Sequence, residues 1–365
     1  MIVCVAPSPA IDVTYRVASL RVGGANRVSD VIHRPGGKAV NVARVLTTLG
    51  QQAVVLAPVG GESGDRFRAG LAERGVAAEL VDVGAPTRRT VTVLDDATGE
   101  ATLLSEPATV ADWTAVAERF TALLPSADVV VVSGSLPIGA PQDAIADLVR
   151  QARRAGRPIV VDSSGAALAR AIAAGPTVAK PNAAELAELT GNPNPLAAVG
   201  TAVGTVVGPV VGAAPVAGAA GAAAAGGAVG AAAAGGAVGA VGAAAAVGGL
   251  AAAAAGGLAG AAAAGGLVGA TAIVASLGAD GLIAAGPGGC WRGRPGTALR
   301  GNPTGAGDAL VAGLAIGLKR GQRLVDMLAD AMALAAAAVL QPCAGDIDPA
   351  DVTAQRAGVR IEAIR

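Results

Sequence analysis

The chain has 365 residues, of which 54 are glycine, 53% are hydrophobic and only 15% are charged. Its 27 lysines and arginines balance 27 aspartates and glutamates, so no net field recruits nucleic acid or an anionic membrane, and we expect neither as a partner. The three cysteines form no CxxC pair, which argues against a disulfide framework or a zinc site. The first residues lack the basic and apolar stretches of a signal peptide, so a cytoplasmic protein is expected.

A low-complexity tract at 201–270 differs from the rest of the chain. It contains 32 Ala, 20 Gly and 11 Val, carries no charge, and repeats related nonamers such as AAAAGGAVG. Three interpretations are open: a transmembrane segment, an elastic or adhesive repeat, or a repeat expansion or sequencing artefact without a role in the fold. The scarcity of large apolar residues favours the last, and we treat 196–270 as an insert.

Strand and helix patterns alternate along the remaining sequence. Apolar runs predict strands at 2–6, 53–59, 128–133, 158–162, 177–180, 272–276 and 281–285. Helical spacing of apolar residues predicts helices at 38–49, 66–73, 143–155, 165–174, 183–190, 306–319 and 324–340. This alternation is typical of a parallel sheet with helices on both faces. Residues 11–32 and 87–104 break the rhythm, because they alternate polar and apolar side chains without an intervening helix, and are able to pair as a small separate sheet.

The segment NPTGAGDAL at 302–310 directly precedes an apolar helical pattern. Gly305, Ala306 and Gly307 are small enough to expose consecutive backbone N–H groups at a helix N-terminus, which is a ready anion site. Asp308 lies at the same end, where a carboxylate is able to accept a proton from an attacking hydroxyl. The simpler interpretation is a helix cap with glycines in the turn, and the segment alone does not decide between them.

Two further segments combine polar residues with a helix start. In RPGGKAVN at 34–41, the glycines permit close approach of the backbone to a ligand, and Lys38 and Asn41 open the helix. A glycine turn with solvated polar residues is the alternative.

In KPNAAE at 180–185, Lys180 is suited to a phosphate, and Asn182 and Glu185 offer oxygen ligands to magnesium or its waters. An ordinary helix start, with Glu185 at a capping position, is the simpler explanation.

Other nucleotide-binding and hydrolytic signatures are weak or missing. SLGADG at 276–281 is a glycine loop after a predicted strand, and it is uninformative alone. The sequence has no Walker A motif and no GxGxxG fingerprint. His33 is the only histidine and lies beside no candidate nucleophile, so a Ser-His-Asp triad is not supported.

With these segments in this order, the chain resembles the ribokinase-like, phosphofructokinase-B family of carbohydrate kinases, up to about residue 190 and again from about residue 271. SPAID at 8–12, SGSLP at 133–137 and VDSSG at 161–165 narrow the resemblance to the branch that contains minor-type 6-phosphofructokinase, 1-phosphofructokinase and tagatose-6-phosphate kinase. The resemblance implies one kinase domain over 1–365, an α/β fold in three α/β/α layers interrupted by the Gly/Ala-rich insert. It also implies a small β-sheet lid built from strands within 11–32 and 87–104, through which such enzymes often form homodimers.

The resemblance also implies a role for each matching residue. Asp308 would be the base that deprotonates the sugar hydroxyl, and the backbone of Gly305, Ala306 and Gly307 would stabilise the transferring phosphoryl group. The residues implied in binding the sugar phosphate are Asp12, Arg27, Gly37, Lys38, Asn41, Arg88 and Ser135. Those implied in binding ATP are Lys180, Asn182, Ser276, Gly278 and Gly281. Glu185 and Asn182 would organise Mg²⁺ through water.

Three functions are compatible with the sequence. The full set of ordered motifs favours an ATP- and Mg²⁺-dependent kinase that converts fructose 1-phosphate, fructose 6-phosphate or tagatose 6-phosphate to a bisphosphate. The second is a non-catalytic sugar-phosphate-binding relic, whose ATP site is damaged by the adjacent tract at 196–270. The third, a membrane-anchored or self-associating repeat protein, is motivated by the tract alone.

Overall fold

The computed structural model describes residues 1–195, 198–199, 272–299 and 301–364. The expected insert at 196–270 lies outside the described residues, apart from residues 198 and 199. The strands, numbered in chain order, are β1 (Ile2–Val5), β2 (Ala10–Val17), β3 (Asp30–Gly36), β4 (Ala53–Val59), β5 (Ala77–Asp82), β6 (Arg88–Asp95), β7 (Ala101–Ser105), β8 (Val129–Ser133), β9 (Ile159–Asp162), β10 (Val178–Ala179), β11 (Ala272–Ser276), β12 (Leu282–Gly286), β13 (Gly289–Arg294) and β14 (Arg360–Ile364). The α-helices are α1 (Lys38–Thr48), α2 (Gly61–Glu73), α3 (Thr114–Leu123), α4 (Ala144–Arg154), α5 (Gly165–Ala173), α6 (Ala183–Thr190), α7 (Ala306–Lys319), α8 (Leu324–Val339) and α9 (Pro349–Gly358).

Within the described residues, the large sheet has ten strands in the order β14-β13-β12-β11-β10-β9-β8-β1-β4-β5. The strands from β5 to β11 run parallel, as the alternation of elements predicted. The last three strands are antiparallel, because β12 follows β11 and β13 follows β12 after short turns, which cannot cross over as a helix does. The sheet is therefore mixed, with an antiparallel edge on one side.

Side-chain alternation along the central strands divides the core into two layers. In β1, Ile2 and Cys4 pack with the buried faces of α1, α2, α7 and α8, whereas Val3 and Val5 pack with those of α3, α4 and α5. Each of these four strand residues is fully buried. A parallel strand covered on both faces is apolar throughout, which explains the continuous runs at β1, β4 and β8.

A second, four-stranded sheet has the order β3-β2-β6-β7. β2 pairs antiparallel with β3 and parallel with β6, and β6 pairs antiparallel with β7. β2 and β6 are half-buried, whereas every residue of β7 is exposed. The expected small separate sheet is present, because alternating polar and apolar residues suit strands that are covered on one face only.

Several elements were not predicted from the sequence. α3, β5, β13, α9 and β14 were missed, and α2 begins at Gly61, five residues before the predicted helix. β5 has a mixed burial pattern without clean alternation, and β13 is rich in glycine and arginine, so neither carries a recognisable strand signal. In the parts of the chain that the structure describes, no helix has the length and apolar character needed to cross a membrane.

Candidate active site

Asp308 is a buried carboxylate in the first turn of α7, with 7% of its surface exposed. Gly305 precedes the helix with φ of 87°, in the left-handed region that favours glycine. The side-chain amide of Asn41, in the first turn of α1, donates a hydrogen bond of 2.9 Å to Asp308 Oδ2. The NPTGAGDAL segment thus places a carboxylate at the N-terminus of a buried helix, and RPGGKAVN supplies its hydrogen-bond donor.

The pKa of Asp308 is raised to about 7. Burial is the largest cause, and the nearby carboxylate of Asp162 adds to it. The hydrogen bond from Asn41 and the positive charges of Lys38 and Lys180 oppose the rise. A carboxyl group with this pKa exchanges its proton near neutral pH, which is the property required of a general base.

Asp162 is the charged centre of the cleft, with its side chain 1% exposed at the end of β9. Lys38 Nζ donates to Asp162 Oδ1 over 3.1 Å, and Lys180 Nζ lies 3.5 Å from the same oxygen. Ser133 Oγ, at the end of β8, donates to the other oxygen, Oδ2, over 3.2 Å. Sequence reasoning gave Asp162 no role, although a carboxylate at the carboxyl end of a buried parallel strand is where ligands of open α/β sheets bind.

Two lysines bring positive charge to this cleft. Burial disfavours the ammonium form of Lys38, but the carboxylates of Asp162, Glu185 and Asp308 outweigh it and raise the pKa of Lys38. Lys180 is buried, whereas the side chain of Lys38 is 44% exposed, and Lys180 Nζ lies 3.8 Å from the point that a Cβ on Gly307 would occupy. An ammonium group therefore lies beside the N-terminus of α7, and both attract anions.

Asp12, on β2, is the second carboxylate with a raised pKa, at about 6. Burial causes the rise, and it is opposed by the charges of Arg88 and Arg44 and by the backbone N–H of Gly37. A side chain on Gly36 would collide with the carboxylate of Asp12, so the glycine at this position leaves the space that the carboxylate fills. The two expected segments SPAID and RPGGKAVN therefore meet around Asp12.

The remaining residues expected to bind the sugar phosphate differ in their placement. Arg88, on β6, donates to the carbonyl oxygens of Glu106 and Ser8 over 2.9 and 3.4 Å, and its charge acts on Asp12. Ser135 is hydrogen-bonded to the buried Ser8 through their hydroxyls, 3.0 Å apart. Arg27 is exposed in the loop between β2 and β3, and none of the described contacts joins it to the other site residues.

Asn182 and Glu185 form a capping box at the start of α6. Asn182 Oδ1 accepts from the Glu185 backbone N–H over 2.9 Å, and Glu185 Oε2 accepts from the Asn182 backbone N–H over 2.8 Å. The helix-start interpretation therefore describes the local structure, and it leaves the second oxygen of Glu185 uncommitted. Mg²⁺ commonly retains its waters and takes only one or two carboxylates, so Glu185 fits such an ion better than Asn182 does. Within the described ranges, no cluster of three or more His, Cys, Asp or Glu side chains is placed to hold a metal.

The glycine loop SLGADG lies next to this capped helix. Ser276, the last residue of β11, forms a parallel bridge with Asn182, and its backbone N–H donates to the Pro181 carbonyl over 3.1 Å. Gly278 begins a short 3-10 turn, and Gly281 ends it against the backbone of β13. The expected ATP-binding residues of both segments therefore lie at the carboxyl ends of the adjoining strands β10 and β11.

The chain is similar in sequence to a known protein family and in fold to solved structures. The model of the pfkB family carbohydrate kinases matches residues 1–257 and 251–351. The tetrameric inhibited form of phosphofructokinase-2 from Escherichia coli is 24% identical, with a TM-score of 0.75 and 98% of each chain covered. The same enzyme in complex with fructose-6-phosphate is 22% identical, with a TM-score of 0.73 and again 98% of each chain covered. A structure from Thermotoga maritima described as a possible 1-phosphofructokinase is 22% identical, with a TM-score of 0.71 over 100% of both chains.

The family model spans most of the sequence, and the TM-scores hold over nearly the whole of each chain, which confirms the ribokinase-like α/β fold with its large mixed sheet flanked by helices. At these identities the structural similarity by itself concerns the fold alone. Together with the ordered motifs around Asp308 and Lys180, the family match establishes that this chain belongs to the pfkB family of carbohydrate kinases, enzymes that phosphorylate sugars with ATP.

Proposed function

We propose that this kinase transfers the terminal phosphoryl group of ATP to a hydroxyl group of a ketohexose phosphate and forms a bisphosphate. The observation that carries the proposal is the position of Asp308, a buried carboxyl with a pKa of about 7 at the N-terminus of α7, hydrogen-bonded by Asn41. The substrates considered are fructose 1-phosphate, fructose 6-phosphate and tagatose 6-phosphate.

In the proposed reaction, Asp308 accepts the proton of the attacking sugar hydroxyl. The backbone N–H groups of Gly305, Ala306 and Gly307 stabilise the charge on the phosphoryl group in flight, with the ammonium of Lys180 beside them. Phosphoryl transfer needs little covalent chemistry from the protein, so alignment and neutralisation of charge supply most of the rate enhancement.

The ATP side of the proposed site consists of Lys180, Asn182 and the glycine loop with Ser276, Gly278 and Gly281. When bound, Mg²⁺ neutralises charge on the phosphates, and Glu185 with Asn182 would hold it through water. The negative charge of Asp162 keeps Lys38 and Lys180 in the cleft before nucleotide enters. Asp162 and Lys180 are almost fully buried, and the low dielectric around Lys180 strengthens its interaction with a phosphate.

The sugar side of the proposed site is centred on Asp12, whose carboxylate would accept hydrogen bonds from sugar hydroxyls, together with Gly37, Asn41 and Ser135. The charge of Arg88 acts on the same carboxylate, and the charge of Lys38 interacts with Asp162, Glu185 and Asp308. Arginine geometry suits an existing phosphate, which supports a phosphorylated sugar over a neutral one. Arg27 would join the phosphate only after its loop moves, since it is exposed in this structure.

The small sheet is proposed to cover the sugar and to bind a second copy of the chain. Leu103 and Leu104 on the edge strand β7 are 62% and 57% exposed, although successive strand residues point to opposite faces. An edge strand with unpaired backbone groups and exposed leucines is a surface that a second sheet is able to cover. A homodimer would bury both leucines.

The substrate class is tested by following ADP release with ATP and Mg²⁺ across fructose 6-phosphate, fructose 1-phosphate, tagatose 6-phosphate, ribose and adenosine. We expect turnover with at least one ketohexose phosphate and little with ribose or adenosine, because Arg88 and Lys38 attract a phosphate. Background ADP release with every sugar phosphate contradicts the proposal. In that case, a thermal shift caused by sugar phosphate but not by Mg·ATP identifies the non-catalytic relic.

Replacement of the proposed base tests the mechanism. Asp308→Asn is expected to lower kcat by roughly 10²–10⁴-fold while sugar-phosphate binding is kept, because a positioned base contributes about this much. In the wild type, kcat/KM should fall about tenfold per pH unit below a pH of about 7, since only the ionised carboxylate accepts a proton. The residual rate of Asp308→Asn should lack this acidic limb, and an unchanged kcat in the variant removes Asp308 from the role.

The phosphate grip is tested with two neighbouring arginines. Arg88→Met is expected to raise the KM of the sugar phosphate roughly 10- to 100-fold, as loss of a charge-assisted hydrogen bond does, without a change in the KM of ATP. Arg89→Met is the matched control, because Arg89 is exposed and adjacent in β6, where it faces away from Asp12. Equal effects of the two substitutions, or none from Arg88→Met, would count against the assignment.

The proposed dimer is tested by light scattering at micromolar concentration. The wild-type protein should have twice the 34.6 kDa mass of one chain. The double substitution Leu103→Asp with Leu104→Asp should reduce the measured mass to that of one chain. Leu340→Asp, at the end of α8, replaces an exposed leucine away from the small sheet and should keep the dimer mass. A wild-type protein of one chain mass overturns this part of the proposal.

A further inference from the structure

The loop between α8 and α9 packs against two residues next to Asp308, namely Gly305 and Asn41. Its backbone approaches Gly305 so closely that a Cβ there would come within 2.9 Å of Ala344 Cα. Gly345, at φ of 77°, lies against Asn41 in the same way, since a Cβ at Gly345 would be 2.8 Å from Asn41 Oδ1. Ala344 and Gly345 therefore contact the residue that precedes α7 and the residue that donates to Asp308.

Two arginines attach this loop to the rest of the site. Arg44, one turn after Asn41 on α1 and 8% exposed, donates to the Ala344 carbonyl over 2.9 Å and forms an ion pair with Asp346 Oδ1. Arg34, on β3, donates to Asp346 Oδ2 over 3.1 Å. Both oxygens of Asp346 are thus occupied, one from α1 and one from the small sheet.

The local charges show what Asp346 contributes. Burial lowers the pKa of Arg44, and the positive charges of the nearby Arg34 and Arg74 lower it further. The carboxylate of Asp346 acts in the opposite direction and raises it. Without the carboxylate, a buried guanidinium would face two like charges, and an uncompensated buried charge is strongly unfavourable. In the register of the small sheet, Arg34 is also the partner of Asp12, so the same carboxylate is connected to the strand that carries the proposed sugar ligand.

We propose that Asp346 is a positioning residue, which through Arg44 and Arg34 holds residues 343–346 against Asn41 and Gly305 and so fixes the hydrogen bond from Asn41 to Asp308. This inference rests on the proposed role of Asp308 as base. Asp346 touches neither Asp308 nor Asn41 by its side chain, and it acts through the backbone of its loop.

The test is Asp346→Asn, which keeps the shape of the side chain and removes its charge. We expect kcat to fall roughly tenfold or more, with smaller changes in either KM, because proton acceptance and phosphoryl alignment are lost together. The acidic limb of kcat/KM should move to higher pH, since the hydrogen bond from Asn41 lowers the pKa of Asp308. Hydrogen exchange should become faster at 341–348 and at 302–309.

The matched control is Asp326→Asn on α8. Like Asp346, Asp326 accepts two hydrogen bonds, in its case both from Arg323 over 2.8 and 3.1 Å, but it lies at the opposite end of α8 from the loop. This variant should keep wild-type kcat, pH profile and exchange at 302–309. Asp346→Glu, which retains the charge, should recover part of the kcat lost in Asp346→Asn.

Two outcomes overturn the inference: a folded Asp346→Asn protein with wild-type kcat and pH limb, or one whose exchange at 302–309 is unchanged. If Asp346→Asn does not fold, Arg34→Gln removes only the more exposed ion pair, and it must produce the same changes at smaller amplitude or the inference fails. Retained turnover in Asp308→Asn is a separate result, which contradicts the proposed base. The exchange measurement reports the loop contact whatever the identity of the base.

Discussion

The site depends on how the buried charges of one cleft compensate each other. Asp162 and Asp308 are both almost inaccessible to water, and the charge of Asp162 raises the pKa of Asp308. The positive charges of Lys38 and Lys180 compensate the charge of Asp162, which their Nζ atoms approach to 3.1 and 3.5 Å. Because both lysines contact Asp162, their charges stabilise the ionised form of Asp308 less strongly. Asp308 is stabilised in addition by the hydrogen bond from Asn41. One carboxylate of the pair therefore neutralises the lysines, and the other is left with a pKa near neutrality.

The fold brings these four groups together by parallel strands that end at one edge of the large sheet. Ser133, Asp162 and Lys180 follow or end β8, β9 and β10, which are neighbours in the sheet. Asp308 and Lys38 reach the same edge from the first turns of α7 and α1, which pack on one face. Helix N-termini and strand carboxyl ends thus converge, and this makes the cleft suitable for phosphate groups.

Much of the architecture was predictable because local patterns agreed with tertiary burial. The apolar runs at β4 and β8 and the helices α1, α6 and α7 carry strong periodic or glycine signals, and their predicted bounds differ from the structure by a residue or less. The strands β5, β13 and β14 were missed because short, half-exposed segments rich in glycine or charge resemble loops, whereas α3 was missed although Val116, Phe120 and Leu123 lie at helical spacing. The pairing of β2 with β6 joins residues that are far apart in sequence, and no local pattern encodes it.

By itself, the sequence determined the family and the presence of a buried central sheet, and it singled out Asp308, Asn41 and Lys180 as candidate site residues, because short motifs fix residue types at set positions. Only the tertiary structure decided how those residues act on each other. The engagement of Asn182 and Glu185 in a capping box, the position of Asp162 between two lysines, and the contact of residues 343–346 with Asn41 and Gly305 all depend on distances between remote segments. A pKa shift follows from burial and neighbouring charge, and both arise only when the chain has folded.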